Sequence, residues 1–369
     1  MNILYVYADS RREWNCSEWR CAVPSRAINA GGEHTSNMLA VPDFAEFSEE
    51  AISKIDKADI VVIQRLGLAN IIPRMLEVQA KGKVVVIDLD DAYHFMPDSV
   101  RAYKFWHEGI IAVEGKDGKP TQGKMQITPI EQLEWGIKLS HGVTTPSPTI
   151  AEDWKKFTDN TWVVPNYIAA DHYLPFRKKN RGLTDTIVIG WGGSFSHFES
   201  WKKSYVIEGL RKAVTRDQRI RIHICGGDPN VMGLFRDVED FQGKVIENPW
   251  VPHNEWPRIL SRFDIGLVPL VGRYDARRSW IKTLEYTLMG IPWIGTKAPP
   301  TEELGDYGYR TTNNVNSWEK NIMDAITNYD DAIERVDKGF EVAKQADVGK
   351  HTSQLIDIYQ DIYDTVKSG

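Results

Sequence analysis

The sequence predicts an α/β protein built on parallel sheets. Short apolar runs alternate with longer amphipathic stretches, and each run ends in polar or turn residues. The pattern occurs twice, with a proline- and aromatic-containing connector between the two series. In the first series NILYVYA (2–8), DIVVIQR (59–65), KVVVIDL (83–89) and GVTTPS (142–147) read as buried strands. Residues 108–128, with Gly115, Gly118, Pro120 and Gly123, read as an insertion loop. The connector is WVVPNYIAADHYLPF (162–176), expected to act as a hinge. The second series is TIVIGWGGS (186–194), IRIHICGGD (220–228), KVIENPWV (244–251), FDIGLVPL (263–270) and GIPWIGT (290–296). From about residue 316 the period is helical, with apolar positions at Ile322 and Ile326, then Leu355, Ile358 and Ile362.

Composition narrows the function. The 369 residues carry 45 basic and 51 acidic side chains, a net charge of −6, which argues against a protein held mainly by phosphate backbones. Three cysteines exclude a disulfide scaffold or a cysteine zinc module, so Cys16, Cys21 and Cys225 read as free thiols. No apolar run approaches the roughly 18 residues of a membrane helix. MNILYVYADS reads as a first strand, not a signal peptide, so a cytoplasmic location is expected.

Ligands of parallel sheets gather at the carboxyl ends of strands. Four segments there carry chemistry. GWGGSFSH (190–197) follows a strand and precedes a helix, with Ser196 and Glu199 spaced as a capping box. Gly192 and Gly193 permit close backbone approach, helix-terminal amides attract phosphate, and Ser194 and His197 add hydrogen bonds. A tight turn without a ligand is the alternative.

RYDARRSWIKTLEYTLMGIPWIG (273–295) reads as a helix with Ser279 as N-cap, Gly290 just past its end and Pro292 as a stop. Arg278, Lys282 and Glu285 fall at i, i+4 and i+7, so two cations could meet a diphosphate and the carboxylate a ribose. A solvated ion-pair face has the same spacing. DLDDAYHF (88–95) offers three carboxylates and His94. It suits a metal-held diphosphate, a second substrate facing Asp91 and His94, or a simple helix cap. DSRREWNCSEWRCAVPSRAINAGGEHT (9–35) opens a polar, aromatic loop. Asp9, Trp19 and Arg20 could contact a sugar, or the loop could be packed by its own rings.

VPNYI (164–168), IGWGGSFSH (189–197), ICGGD (224–228), FDIGLVPL (263–270) and SWIKTLEYTLMGIPWIG (279–295) stand in an order that resembles GT-B-fold glycosyltransferases of the retaining, family 4-like type, as found in phage and environmental genomes. The resemblance implies two Rossmann-like domains facing across a cleft. Residues 1–168 would form the acceptor side, residues 169–348 the nucleotide-sugar side, and the final helix, about 349–369, would cross back to the first domain. It implies a nucleoside-diphosphate sugar donor, a hydroxyl acceptor and no required cofactor or metal. Gly192, Gly193, Ser194, His197, Gly226, Val251, Ser279 and Glu285 would then hold the donor. Asp91, His94, Arg278 and Lys282 would serve catalysis. Glu285 matches the second glutamate of an E-x7-E motif, and Arg277 stands where the first would be. The rival readings are glycosylation of hydroxymethylated DNA bases, a sugar-nucleotide epimerase, and a non-catalytic nucleotide- or carbohydrate-binding module.

Overall fold

The computed structural model describes residues 1–10, 14–114, 119–178, 181–227, 229–236 and 238–368. The chain forms two compact units. One comprises Met1–Met96, Ala102–Tyr167 and Val348–Gly369; the other comprises Pro97–Arg101 and Ile168–Asp347.

The first unit holds β1 (Asn2–Tyr7), β2 (Thr35–Ala40), β3 (Ile60–Gln64), β4 (Val84–Asp88), β5 (Ile110–Glu114), β6 (Pro120–Lys124), β7 (Val143–Thr145) and β8 (Thr161–Val163). Six of them pair in parallel in the order β2-β1-β3-β4-β7-β8. Central β3 (IVVIQ) and β4 (VVVID) are buried at every position, as β-branched runs covered on both faces should be. The final helix, Thr352–Ser368, belongs to this unit. Its Tyr359 and Ile362 pack with Ile3, Tyr5 and Val62, and the Tyr5 hydroxyl donates to that of Tyr359 at 2.9 Å.

The second unit holds β9 (Ile187–Gly192), β10 (Ile220–Cys225), β11 (Val245–Asn248), β12 (Ile265–Val268), β13 (Trp293–Thr296) and β14 (Tyr309–Thr311). They are parallel in the order β11-β10-β9-β12-β13-β14. Its core joins Ile189, Trp191, Trp201, Ile222, Leu267 and Trp318. Trp154, Trp191, Trp201, Trp293 and Trp318 are among the largest fully buried side chains, so these five indoles are packing residues.

Both strand orders reverse direction beside the first strand of the sheet. The chain steps from β1 to β2 on one side, then returns to place β3 on the other. It likewise steps from β9 to β10 and β11, then returns to place β12. The loops after β1 and β3, and those after β9 and β12, therefore diverge and leave a crevice at the carboxyl edge of each sheet.

The nine strands expected from apolar runs are present, while β2, β8 and β14 are additions. These three are sheet-edge strands, partly exposed and short or polar (TSNMLA, TWV, YRT), so they lack an apolar run. The expected loop at 108–128 is instead a hairpin, with β5 and β6 antiparallel from Ile110↔Lys124 to Glu114↔Pro120. Gly115 and Gly118 lie outside the described residues, as does Asp228 of ICGGD.

Candidate functional site

The crevice of the second unit forms where the turn after β9 meets the loop after β12. Space dictates the glycines. A Cβ on Gly192 would lie 2.1 Å from the Trp256 ring, and one on Gly193 would lie 2.5 Å from the Trp191 ring. Gly226, just past β10, has φ +74°, and its added Cβ would lie 2.8 Å from the Gly193 carbonyl oxygen. The close approach expected at this turn is thus made by the chain's own aromatic rings. The Gly193 N–H donates to the Cys225 carbonyl at 3.0 Å.

The expected Ser196–Glu199 capping box is not formed. A 3-10 turn, Phe195–His197, precedes the helix Phe198–Lys203, whose N-cap is His197. Ser196 Oγ pairs with Ser194 Oγ at 3.1 Å, and Glu199 reaches forward to Lys203 at 2.7 Å. Having a short helix with no side-chain cap, the turn leaves His197 folded inward. The imidazole stands edge-on to Trp191 with centroids 5.3 Å apart, and its buried Nδ1 has no hydrogen-bond partner among the described residues. Burial, with the nearby charges of Arg278 and Lys282, holds it neutral well below the usual histidine pKa.

The loop after β12 brings the cations. Asp275 is buried and accepts from Ser200 Oγ (2.7 Å), Val271 N (2.8 Å) and Arg278 Nε (2.7 Å). That carboxylate orients the Arg278 guanidinium, whose Nη2 donates to the Ser196 carbonyl at 2.8 Å. The following helix is Ile281–Met289 with Trp280 as N-cap, so Ser279 is not the cap; its buried Oγ has no partner among the described residues. Gly290 closes the helix at φ +69°, as expected. Arg278 thus precedes the helix that carries Lys282 and Glu285.

Lys282 Nζ donates to the Gly192 carbonyl at 2.6 Å and sits 5.4 Å from the Trp191 ring centroid. Both cations therefore converge on the Gly192–His197 turn. Glu285 is 4% exposed, which a solvated ion-pair face would not give. Its Oε1 accepts from Tyr173 Oη at 2.8 Å and Trp256 Nε1 at 2.9 Å. Burial pushes its carboxyl up to about 7, against the opposing effects of Lys282 and the two hydrogen bonds. Val251 is half-buried in the loop that leads from β11 to the helix Trp256–Leu260.

Asp275, Tyr173 and Trp256 were not singled out by the sequence reading. Asp275 lies three residues before Arg278, an ion-pair spacing visible in the sequence. The partners of Glu285 are 112 and 29 residues away, and no local pattern announces them.

In the first unit the expected sugar contacts are largely occupied. Arg20 is 4% exposed. Its Nε and Nη2 grip Asp88 at 2.9 and 2.6 Å, and its Nη1 reaches the Val164 carbonyl (2.6 Å) and Asn166 Oδ1 (2.8 Å). These bonds brace the ends of strands β4 and β8. Trp19, half-buried, lies beside it with Val23, Pro24 and Tyr167. Asp9 Oδ2 accepts from the backbone N–H groups of Asn15 and Ser17 at 3.0 and 2.7 Å, and Oδ1 meets Arg65 at 3.2 Å.

Within DLDD, Asp88 is therefore paired with Arg20. Asp90 meets Arg65 at 3.2 Å and accepts from Tyr93 Oη at 2.6 Å. Asp91 is half-buried next to it. His94 packs among aromatic rings. Its ring packs on Trp154 (4.6 Å) and Phe95 (4.0 Å), with Nε2 3.7 Å from Asp153. Among the described residues no three His, Cys, Asp or Glu side chains are grouped to hold a metal ion.

No protein-family model matches this chain, and no curated protein matches it. Its likenesses are to solved structures. The catalytic domain of Arabidopsis thaliana starch synthase IV bound to ADP and acarbose has a TM-score of 0.66 at 11% identity, covering 100% of this chain and 99% of that one. A mutant of S. aureus TarM in complex with fondaparinux, α-GlcNAc-glycerol and UDP has a TM-score of 0.57 at 13% identity. The match covers 87% of this chain and only 58% of TarM, so the chain spans little more than half of that protein. A putative UDP-N-acetylglucosamine 2-epimerase from Listeria monocytogenes is also similar, with a TM-score of 0.55 at 11% identity over 99% of this chain and 97% of that one. Two parallel six-stranded sheets, each with its carboxyl-edge crevice, and the match to these structures establish the GT-B fold.

Proposed function

We propose that the protein transfers a sugar from a nucleoside-diphosphate sugar to a hydroxyl acceptor, and that the second unit holds the donor. One observation carries this reading: Arg278 and Lys282 converge on the Gly192–His197 turn at the carboxyl edge of the second sheet. A diphosphate arriving there meets two cations fixed by hydrogen bonds and held close to buried aromatic rings. Starch synthase IV and TarM, similar in fold, carry ADP and UDP respectively, which supports a nucleoside diphosphate as the ligand class.

The residues divide the work by their chemistry. Arg278 and Lys282 stabilise the charge that grows on the leaving diphosphate. Glu285, once ionised, accepts from ribose hydroxyls. His197 stays neutral beside them and can offer a hydrogen bond without adding charge. Gly192, Ser194, Gly226, Val251 and Ser279 would line the donor, with Ser279 Oγ lacking a partner among the described residues. Arg278 and Lys282 make a divalent cation redundant, so we propose a metal-independent and retaining transfer. Asp88 and Asp90, already matched to Arg20 and Arg65, support that reading. Asp91 remains the carboxylate we assign to the acceptor side.

The test is a thermal-shift and calorimetry panel of UDP, GDP, ADP and dTDP with their sugars. A single nucleotide should raise the melting temperature by mass action. Product analysis with EDTA then tests metal independence. Donor conversion with no acceptor would favour the epimerase reading, and binding without any turnover the non-catalytic one. No stabilisation by any nucleotide would overturn the proposal.

A further inference from the structure

Glu285 does not stand alone in its helix. Tyr173 ends the short helix Ala170–Tyr173, within the stretch where the chain enters the second unit, and its side chain is completely buried. Trp256 begins the helix after the β11 loop. Both donate to the same carboxylate oxygen, Oε1, at 2.8 and 2.9 Å. Among the described residues no hydrogen bond reaches Oε2. The Trp256 ring in turn occupies the space above Gly192, whose carbonyl receives Lys282. Three remote segments therefore meet on one carboxylate, which is tied through Trp256 to the glycine turn.

Resting on the donor-site reading above, we propose that Tyr173 and Trp256 are positioning residues for donor binding. They fix Oε1 of Glu285 so that Oε2 faces the ribose of the nucleoside diphosphate. Each hydrogen bond restricts the carboxylate rotamer and favours its ionised form. Lys282 assists ionisation from the same helix, while burial opposes it. A ribose hydroxyl donates best to the ionised group, so nucleotide affinity depends on how well that form is held.

The other titratable groups in this neighbourhood are Tyr286, next to Glu285 in the helix, and the stacked His172 and His253 rings, 5.2 Å apart, with His253 edge-on to Tyr173. Their effect is separated by Glu285→Gln, which keeps all of them. Arg278 and the inward His197 lie toward the turn, on the far side of Lys282 from Glu285 along the chain.

The experiment measures affinity for UDP, ADP and GDP by calorimetry from pH 5.5 to 8.5, using the full chain. The nucleotide that binds most tightly is then followed in Tyr173→Phe, Trp256→Phe and Glu285→Gln. Wild-type affinity should rise with pH through a midpoint set by Glu285. Tyr173→Phe and Trp256→Phe should each move that midpoint upward by about half to one unit and weaken binding at pH 7 by about 3- to 10-fold. Glu285→Gln should bind weakly with a flat profile over the same range. Both rings are retained or replaced by a ring, so a folding failure in one variant leaves the other to decide. If Glu285→Gln weakens binding but both ring variants keep the wild-type affinity and midpoint, the positioning role is refuted while the donor site stands. If Glu285→Gln binds like wild type, or no nucleotide binds, the donor-site reading falls and takes this inference with it.

Discussion

Asp88→Asn tests whether Arg20 is a brace or a sugar contact. Asp88 is 2% exposed and accepts two guanidinium bonds from Arg20 together with one from Thr144 Oγ1 at 2.7 Å. The substitution keeps the shape but removes the charge, and its amide turns one Arg20 bond into a donor–donor contact. The guanidinium is left buried with one neutral amide oxygen, the Val164 carbonyl and Asn166 as partners and no carboxylate paired to its charge. Breaking one side of such a buried pair costs about 3–5 kcal/mol. Spread over a unit of this size, that is on the order of 10 °C in melting temperature. Guanidinium denaturation followed by tryptophan fluorescence and by circular dichroism reads it, with each unit's transition fitted separately. The double variant Arg20→Met with Asp88→Leu should recover part of the loss, since no charge is then buried, although the Val164 carbonyl, Asn166 and Thr144 lose their partners. A loss below about 1 kcal/mol would refute the brace. So would a double variant that is stable and binds donor normally yet cannot use any acceptor, since that result would return Arg20 to sugar binding.

Three further outcomes follow from the second unit. Arg278→Ala and Lys282→Ala should each weaken nucleoside diphosphate binding by about 10- to 100-fold while changing nucleoside binding little, because only the diphosphate carries charge; calorimetric titration with nucleoside, monophosphate and diphosphate separates them. Glu285 has a folded pKa raised from 4.5 to about 7. Its favourable contribution is therefore full below pH 4.5 and lost as pH rises toward 7, by about 3 kcal/mol at the upper limit. Glu285→Gln should match wild type near pH 4.5 and be more stable at pH 8, as read by denaturation midpoints across that range. Gly226→Ala imposes a positive φ on a residue with a side chain and drives its Cβ to 2.8 Å from the Gly193 oxygen. It should cost about 1–3 kcal/mol and loosen nucleotide binding, measured by thermal melting with and without nucleotide.

The parts of this fold that were legible in the sequence are those with a local cause. Central strands such as IVVIQ and VVVID must be apolar because helices cover both faces, so their runs stand out. The helix end at Gly290 was legible because a left-handed residue favours glycine. Edge strands β2, β8 and β14 have one side open to solvent and need no such run. The capping box at Ser196 failed for a tertiary reason. The turn is drawn inward by His197 against Trp191, and the helix begins without a side-chain cap.

The site divides in the same way. Arg278 and Lys282 were visible as cations near a strand end, since position and charge are local properties. What each side chain touches is not local. The same spacing that announces an Arg–Lys–Glu stripe suits a solvated face, and only burial distinguishes them: Glu285 is 4% exposed. Its burial is possible because Tyr173 and Trp256 arrive from two other segments to satisfy one oxygen. Arg20 illustrates the converse. An arginine in an aromatic loop after the first strand looks like a ligand contact, yet Asp88, 68 residues on, claims it completely enough to bury it. Arg20 is buried against Asp88, and Glu285 is buried with its Oε1 held by Tyr173 and Trp256.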